Sequence, residues 1–339
     1  MRYLLGVDIG GTKCAVSLGR CTASDGGGIE ILDKVRFPSE TDRGVQFTLE
    51  QLFKNTDLLM DRNSIAALDL ECIGISCGGP LDSNTGVVLS PPNLFGWDNI
   101  PITKLFMERY GVRAVLQNDA NACALAEWKF GAAKGLSNVI FLTFGTGMGA
   151  GLILDGRLYS GTNGMAGEVG HIRLSEQGPV GFGKAGSFEG FCSGGGIAQL
   201  ARMKVLEKIQ MGQKVSFCDG LKNLEGLNAK IVGDAAEAGD ELAKEIYRIC
   251  GRYLGMALSI LIDTLNPEMI VIGSIYARSE ELLRGAAMEV IEKESLTHAR
   301  RVCRIAPAAL GEKTGDYAAL AVAFYEVDKE GRRNEKGCG

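Results

Sequence analysis

Two stretches of this chain share one design, and that repetition limits the fold more than any other feature. LLGVDIGGTKCAVSL (4–18) and IFLTFGTGMGAGLIL (140–154) each read as an apolar strand, a tight turn of glycine and threonine, and a second apolar strand. One such hairpin opens each half of a 339-residue chain, a length that calls for two packed domains rather than one small core. The competing reading is two unrelated β-hairpins, since short motifs recur by chance. The expectation adopted is two related domains facing one another across a cleft.

The pattern around the hairpins supports an α/β fold with a mixed sheet. In the first half, strands are expected at Tyr3–Ile9, Cys14–Gly19, Ile29–Phe37, Cys72–Ser76, Val87–Leu89 and Ala114–Gln117, with helices at Thr48–Leu59 and Ile102–Tyr110. In the second half, strands are expected at Val139–Phe144, Gly151–Leu154, Gly170–Leu174, Met269–Ile272 and Val302–Pro307. Helices are expected at Gly195–Gln210, Ile231–Ala238, Asp240–Leu265, Glu280–Ile291 and Gly315–Tyr325. The segment 328–339 reads as a charged, flexible tail.

Composition removes several classes of function. The net charge of −5 and the lack of a long basic stripe argue against a nucleic-acid groove. The ten cysteines form no CxxC pair and read as reduced thiols. The apolar run before Asp8 is a strand rather than a secretory signal, and the stretch Met256–Ile262 is too short to cross a bilayer. A soluble, cytoplasmic protein is expected.

The turns carry phosphate chemistry. Gly10 and Gly11 have no Cβ, so their amides can approach phosphate oxygens; Thr12 adds a hydroxyl and Lys13 a positive charge. Asp8, at the strand end, can hold Mg²⁺ directly or through its water shell. Gly145-Thr146-Gly147 can cradle further phosphates. No GxxxxGK[ST] loop is present, and apolar strands rather than a helix follow the glycines, so nicotinamide-type binding fails on context.

A second group of polar residues suits a polyhydroxylated ligand. Gln117-Asn118-Asp119-Ala120-Asn121 follows a strand and opens a helix; capping explains one polar residue there, not four in five. Asp119 is placed to take a proton from a substrate hydroxyl, as phosphoryl transfer to an alcohol requires. Glu168 and His171 in GEVGH, followed by Glu189, add acceptors and donors for further hydroxyls. With two histidines in the chain, a three-His metal site is impossible.

As an ordered set, DIGGTK (8–13), NDAN (118–121), FGTGMGAG (144–151), GMAGEVGH (164–171) and NPEMIVIGS (266–274) resemble the ROK family of sugar kinases and sugar-responsive repressors, from Asp8 to about Phe324. The resemblance implies a two-domain actin-like ATPase (ribonuclease H-like, hexokinase-like) fold, with ATP and sugar in the interdomain cleft and a likeness to homodimeric enzymes. It implies Asp119 as catalytic base and Asn118, Glu168, His171 and Glu189 as sugar ligands, with Gly78, Gly79 and Asn93 lining the sugar pocket. Gly273 would lie near the adenosine, although Ser274 stands at the family's second glycine. Residues 1–117 with about 303–327 would form the N-terminal lobe and 118–302 the C-terminal lobe.

The implied activity is transfer of the γ-phosphoryl of ATP, with Mg²⁺, to the 6-hydroxyl of glucose or a close hexose. An N-acetylhexosamine kinase or a fructokinase is the alternative, and a non-catalytic sugar sensor stands behind both. A repressor would carry an N-terminal helix-turn-helix, for which a chain starting at its first strand leaves no room. One departure matters. The family commonly has Cys-x-Cys-Gly-x-x-Gly-Cys-x-Glu after the histidine, binding a structural zinc; here Val180, Phe182 and Ser187 stand at the cysteine positions. No structural zinc is expected, with Val180 and Phe182 packing to hold the loop instead.

Overall fold

The computed structural model describes residues 2–22 and 27–336. In chain order the elements begin with β1 (Tyr3–Ile9), β2 (Lys13–Thr22), β3 (Gly28–Pro38), α1 (Val45–Arg62), β4 (Leu70–Cys77), β5 (Leu81–Asp82) and β6 (Val87–Val88). Next come α2 (Ile102–Tyr110), β7 (Ala114–Asn118), α3 (Asp119–Phe130), β8 (Val139–Phe144), β9 (Met148–Leu154) and β10 (Arg157–Tyr159). Then follow β11 (Val180–Gly181), β12 (Lys184–Ala185), α4 (Phe188–Phe191), α5 (Gly194–Gln210), α6 (Ala229–Glu237) and α7 (Glu241–Leu265). The chain closes with β13 (Met269–Ile272), α8 (Ile275–Glu294), α9 (Thr297–Val302), β14 (Arg304–Pro307) and α10 (Thr314–Lys336).

These elements form two compact units. The first comprises Met1–Gly135, Arg157–Ala166 and Glu312–Gly339; the second comprises Leu136–Gly156 and Gly167–Gly311. The first sheet has the order β3-β2-β1-β4-β7, with β1, β4 and β7 parallel and β2 and β3 antiparallel. A parallel centre needs cover on both faces. Leu5, Val7 and Ile9 alternate toward one face, where they pack with Leu49, Leu52 and Leu59 of α1 and Phe106 of α2. Leu4 and Cys72 face the other way and meet Leu320 and Ala323 of α10. Helix α10 lies close on the strands because Gly6 and Gly74 carry no side chain: a Cβ on Gly6 would come within 2.9 Å of the Leu320 nitrogen.

In the second unit the sheet runs β9-β8-β13-β14, and every residue of β13 is buried. Its longest helix, α7, starts at Asp240, whose Oδ1 accepts from the Ala243 N–H at 2.9 Å, and stops at Asn266 in the left-handed region. Buried positions such as Ile246, Cys250, Leu254, Leu258 and Leu261 recur at helical spacing. Gly251 and Gly255 admit α8: a Cβ at either would stand 2.6 and 2.5 Å from the Leu283 and Ala287 carbonyl oxygens.

Three expectations need correction. Residues 170–174 are not a strand: Val169–His171 form a 3₁₀ turn, and only Arg173 makes an isolated bridge, to Ser187. The turn follows from Gly167, at φ +93°, which turns the backbone back against Ala150. The expected flexible tail is mostly helix, since α10 runs to Lys336; residues 337–339 lie outside the described residues. The expected lobe boundaries also shift. Helix α3 packs with α10 and belongs to the first unit, whereas β14 pairs with β13 and belongs to the second.

Candidate functional site

In the first unit, strand register assembles the polar residues. Asp8 pairs with Ser76, Ile9 with Cys77, and Cys77 with Asn118, so Asp8, Ser76 and Asn118-Asp119 stand side by side at the carboxyl ends of β1, β4 and β7. That end is where open α/β sheets place their ligands. Asn118 is the cap of α3, its Oδ1 accepting from the Asn121 N–H at 3.1 Å. Asp119, the first helical residue, is thereby released from capping; it is exposed, and its Oδ1 accepts from the Ala120 N–H at 2.8 Å. The Asn118 Nδ2 lies beside Gly79, in the loop where Gly79-Pro80 is a cis peptide, and Gly78 has open space in place of a Cβ.

Asp8 is half-buried, and its loss of solvent pushes its carboxyl up to about 6; the charges of Asp119 and Asp316 add to the rise, while a hydrogen bond with Ser76 and the charge of Arg36 oppose it. Asp316 at the start of α10 is itself buried and paired with Lys34 and Arg36 from β3. The turn after β1 is closed by the Gly10 N–H donating to the Lys13 carbonyl at 3.2 Å, and the Ser39 hydroxyl donates to the Gly10 carbonyl. Gly11 has a different reason to be glycine: a Cβ there would stand 2.5 Å from the Asn93 carbonyl oxygen. The first turn, with Thr12 and Lys13 exposed, therefore meets the Asn93 loop directly.

In the second unit, the turn between β8 and β9 is built around Glu189. The Gly145 N–H donates to the Gly147 carbonyl at 3.1 Å, and Glu189 Oε2 accepts from the Met148 N–H at 3.0 Å. Glu189 thus touches the glycine turn rather than standing apart from it. The α5 N-terminus approaches the same turn: the Gly194 N–H donates to the Gly145 carbonyl at 2.8 Å, while Ser193 caps the helix through the Gly196 N–H. Backbone N–H groups at such a helix end favour anions.

A cavity of about 690 Å³ adjoins this turn, lined by Gly145, Thr146, Gly194, Gly195, Asn228, Asp234, Tyr247, Ser274 and Arg278, among others. Its size is in the range of small-molecule sites. Gly273 continues the ladder, donating to the Leu142 carbonyl at 2.9 Å, and Ser274 holds φ +52°, ψ −110° at the mouth of α8. Sequence reasoning missed Gly194, Gly195, Asn228 and Arg278. The Ser-Gly-Gly-Gly run at 193–196, opening a helix, was the available signal for the first two.

Glu168 is exposed, and its carbonyl accepts from the His171 N–H at 3.2 Å. The expected packing of the cysteine-less loop is not what holds it. Val180 is 46% exposed and Phe182 is 73% exposed with φ +43°. Polar bonds do the holding: Gln199 accepts from the Val180 N–H at 2.9 Å and donates to its carbonyl at 2.8 Å, and Lys184 Nζ donates to the His171 carbonyl at 2.7 Å. The Phe182 ring meets the His171 ring edge-on at 5.3 Å. Among the described residues, no group of three or more His, Cys, Asp or Glu is placed to hold a metal ion.

The expected residues therefore fall in two sets. Asp8, Gly10–Lys13, Gly78, Gly79, Asn93, Asn118 and Asp119 lie on the first unit, and Gly145–Gly147, Glu168, His171, Glu189 and Gly273 on the second.

Fold and site together define a two-unit α/β chain of the actin-like ATPase fold. It superimposes on the ROK hexokinase of Thermus thermophilus with a TM-score of 0.77 at 28% identity, over 96% of this chain and 99% of that one. With the ROK glucokinase of Streptomyces griseus, solved with glucose and AMPPNP, the TM-score is 0.74 at 28% identity, over 95% and 99% of the two chains. In sequence it is 31% identical over 317 residues to a glucokinase of Halalkalibacterium halodurans, covering 93% of this chain and 92% of that one. The pattern of the ROK family matches residues 4–325, and the chain belongs to that family.

Proposed function

We propose that this sugar kinase transfers the γ-phosphoryl of ATP to the 6-hydroxyl of glucose or a close hexose, with Asp119 as general base. The observation that carries the reading is the register that stands Asp119 beside Asp8 and Ser76 at the strand ends, with its capping duty taken over by Asn118. Asp119 takes the proton of the acceptor hydroxyl, orienting it for in-line attack. Asn118, Glu168, His171 and Glu189 hold the other sugar hydroxyls, and Gly78, Gly79 and Asn93 line the sugar. The turns at Gly10–Lys13 and Gly145–Gly147 hold the phosphates, and the cavity beside Gly273-Ser274 takes the nucleoside.

The donor set fits a divalent cation. Asp8 is a half-buried carboxylate whose charged form is disfavoured by lost solvent and by Asp119 and Asp316, so a nearby cation would relieve it. Mg²⁺ held there, directly or through water, would supply charge neutralisation to the phosphates. The same reading takes the protein to be a cytoplasmic homodimer, and sedimentation at twice 36.1 kDa would support the dimer.

A coupled ADP-release assay over glucose, mannose, allose, fructose, N-acetylglucosamine and N-acetylmannosamine tests the acceptor, with the highest kcat/KM expected for glucose or a close hexose. Faster turnover of an N-acetylhexosamine would move the assignment to that class. Asp119→Ala is expected to lower kcat by about 10²–10⁴ while the folded circular-dichroism spectrum is kept. Near-normal turnover by a folded Asp119→Ala protein would remove the base.

A further inference from the structure

Helix α8 lines the nucleoside cavity only with its first residues, and a second cavity opens along its far part. Ile275 and Arg278 border the first; Arg284, Ile291 and Glu292 border another of about 650 Å³. Strand register separates the two. Met269 and Arg304, paired at the start of β13 and β14, line the second cavity, whereas Ser274 lies past the other end of β13. None of the residues assigned above to sugar, phosphate or nucleoside reaches it.

The lining is unbalanced in charge. Four arginines, Arg284, Arg300, Arg301 and Arg304, and one acidic residue, Glu292, line it together with apolar Ile262, Met269 and Ile291. Two of the four are engaged: Arg284 pairs with Glu280 at 2.6 Å, and Arg300 Nη1 donates to the Glu292 carbonyl at 3.2 Å. Arg301 and Arg304 form no ion pair with the described residues. The neighbouring carboxylate of Glu268 is spent on the Ser137 and Asn138 N–H groups, at 2.6 and 2.8 Å. Massing like charge around a concavity gains only repulsion unless an anion enters it. Guanidinium forks match phosphate oxygens, the apolar floor suits a carbon skeleton, and the volume suits a small metabolite.

We propose that this cavity binds a phosphate-bearing small molecule, its phosphate on Arg301 and Arg304 and its skeleton over Ile262, Met269 and Ile291. A sugar phosphate and a nucleoside monophosphate share that chemistry, and titration calorimetry with glucose 6-phosphate and with AMP separates them. The full chain, the Arg301→Ala/Arg304→Ala double variant and Glu168→Ala are each titrated. One of the two phosphates is expected to bind the full chain and Glu168→Ala alike, and to weaken about ten- to a hundredfold in the double variant. Both arginines are exposed, so the melting temperature of the double variant should match the parent's. The proposal is overturned if neither phosphate binds the parent chain, if no phosphate that binds the parent is weakened in the double variant, or if binding is lost in Glu168→Ala alone. Because Glu168 serves only the sugar reading, failure here and failure of that reading give different patterns.

Discussion

Asp8 carries a cost that its chemistry explains. Burial and two neighbouring carboxylates raise its carboxyl from 3.8 to about 6. The folded chain therefore holds the Asp8 proton more tightly than the unfolded chain. Stability from this group is full below about pH 4 and is lost as pH rises to about 6. At neutral pH the loss is at most about 3 kcal/mol, from a shift of roughly two units. Asp8→Asn should therefore unfold at higher urea at pH 7 in metal-free buffer, while losing kinase activity. The gain should shrink to roughly 0.5 kcal/mol near pH 4, where Asp8 is protonated in the folded chain and about half protonated in the unfolded one. A variant less stable than the parent at pH 7, or equally stabilised at pH 4, would remove burial as the reason for the strain. Such a cost is what the proposed cation-holding role of Asp8 would lead one to expect, function being placed ahead of folding.

At the scale of elements, glycine separates contact from entropy. A Cβ on Gly74 would sit on the Ala319 carbonyl and 2.6 Å from the Ala323 nitrogen, backbone atoms of α10 that cannot yield. Gly285, exposed in α8, has nothing within 4 Å. Gly74→Ala should cost about 1–3 kcal/mol by pushing α10 off β4, and Gly285→Ala should gain roughly 0.5–1 kcal/mol through helix propensity. Urea midpoints moving in the same direction for both would refute the close-packing account.

The loop at 180–189 makes a second prediction. With Val180 and Phe182 in place of thiols and Gln199 and Lys184 holding the hairpin, purified protein should contain no stoichiometric zinc, and EDTA should not lower its melting temperature. Elemental analysis giving one zinc per chain would sink this.

Elements whose faces are continuous were legible in the sequence: β1, β8, β13 and α2 have the bounds that their apolar runs imply. The NDAN run was legible as a helix start, although only the hydrogen bond to the Asn121 N–H showed that Asn118 is the residue that caps it. The turn at 169–171 was not legible, because a tertiary contact at Gly167 overrides the local strand pattern. Asn228 and Arg278 were invisible too: one caps α6 and the other stands on α8, and only folding brings them to one cavity.

At the scale of the molecule, the chain leaves the first unit and returns to it twice. Its last contribution is α10, which arrives after the whole second unit has been made. That helix covers the face of the first sheet carrying Leu4 and Cys72, and supplies fully buried Leu320 as well as Ala321 and Ala323. Burial of Leu320 alone is worth about 1.5–3 kcal/mol, and its loss would open a face of a parallel centre that water cannot satisfy. The second unit, by contrast, takes its sheet β9-β8-β13-β14 and helices α5 to α9 from residues before Gly311. Deleting the chain from Thr314 onward should therefore strip hydrogen-exchange protection from the amides of β1 and β4, while those of β8, β13 and α7 stay protected. Protection of β1 and β4 at the level of the full chain would mean that the first sheet is closed without α10, and that its late return is not what completes the unit.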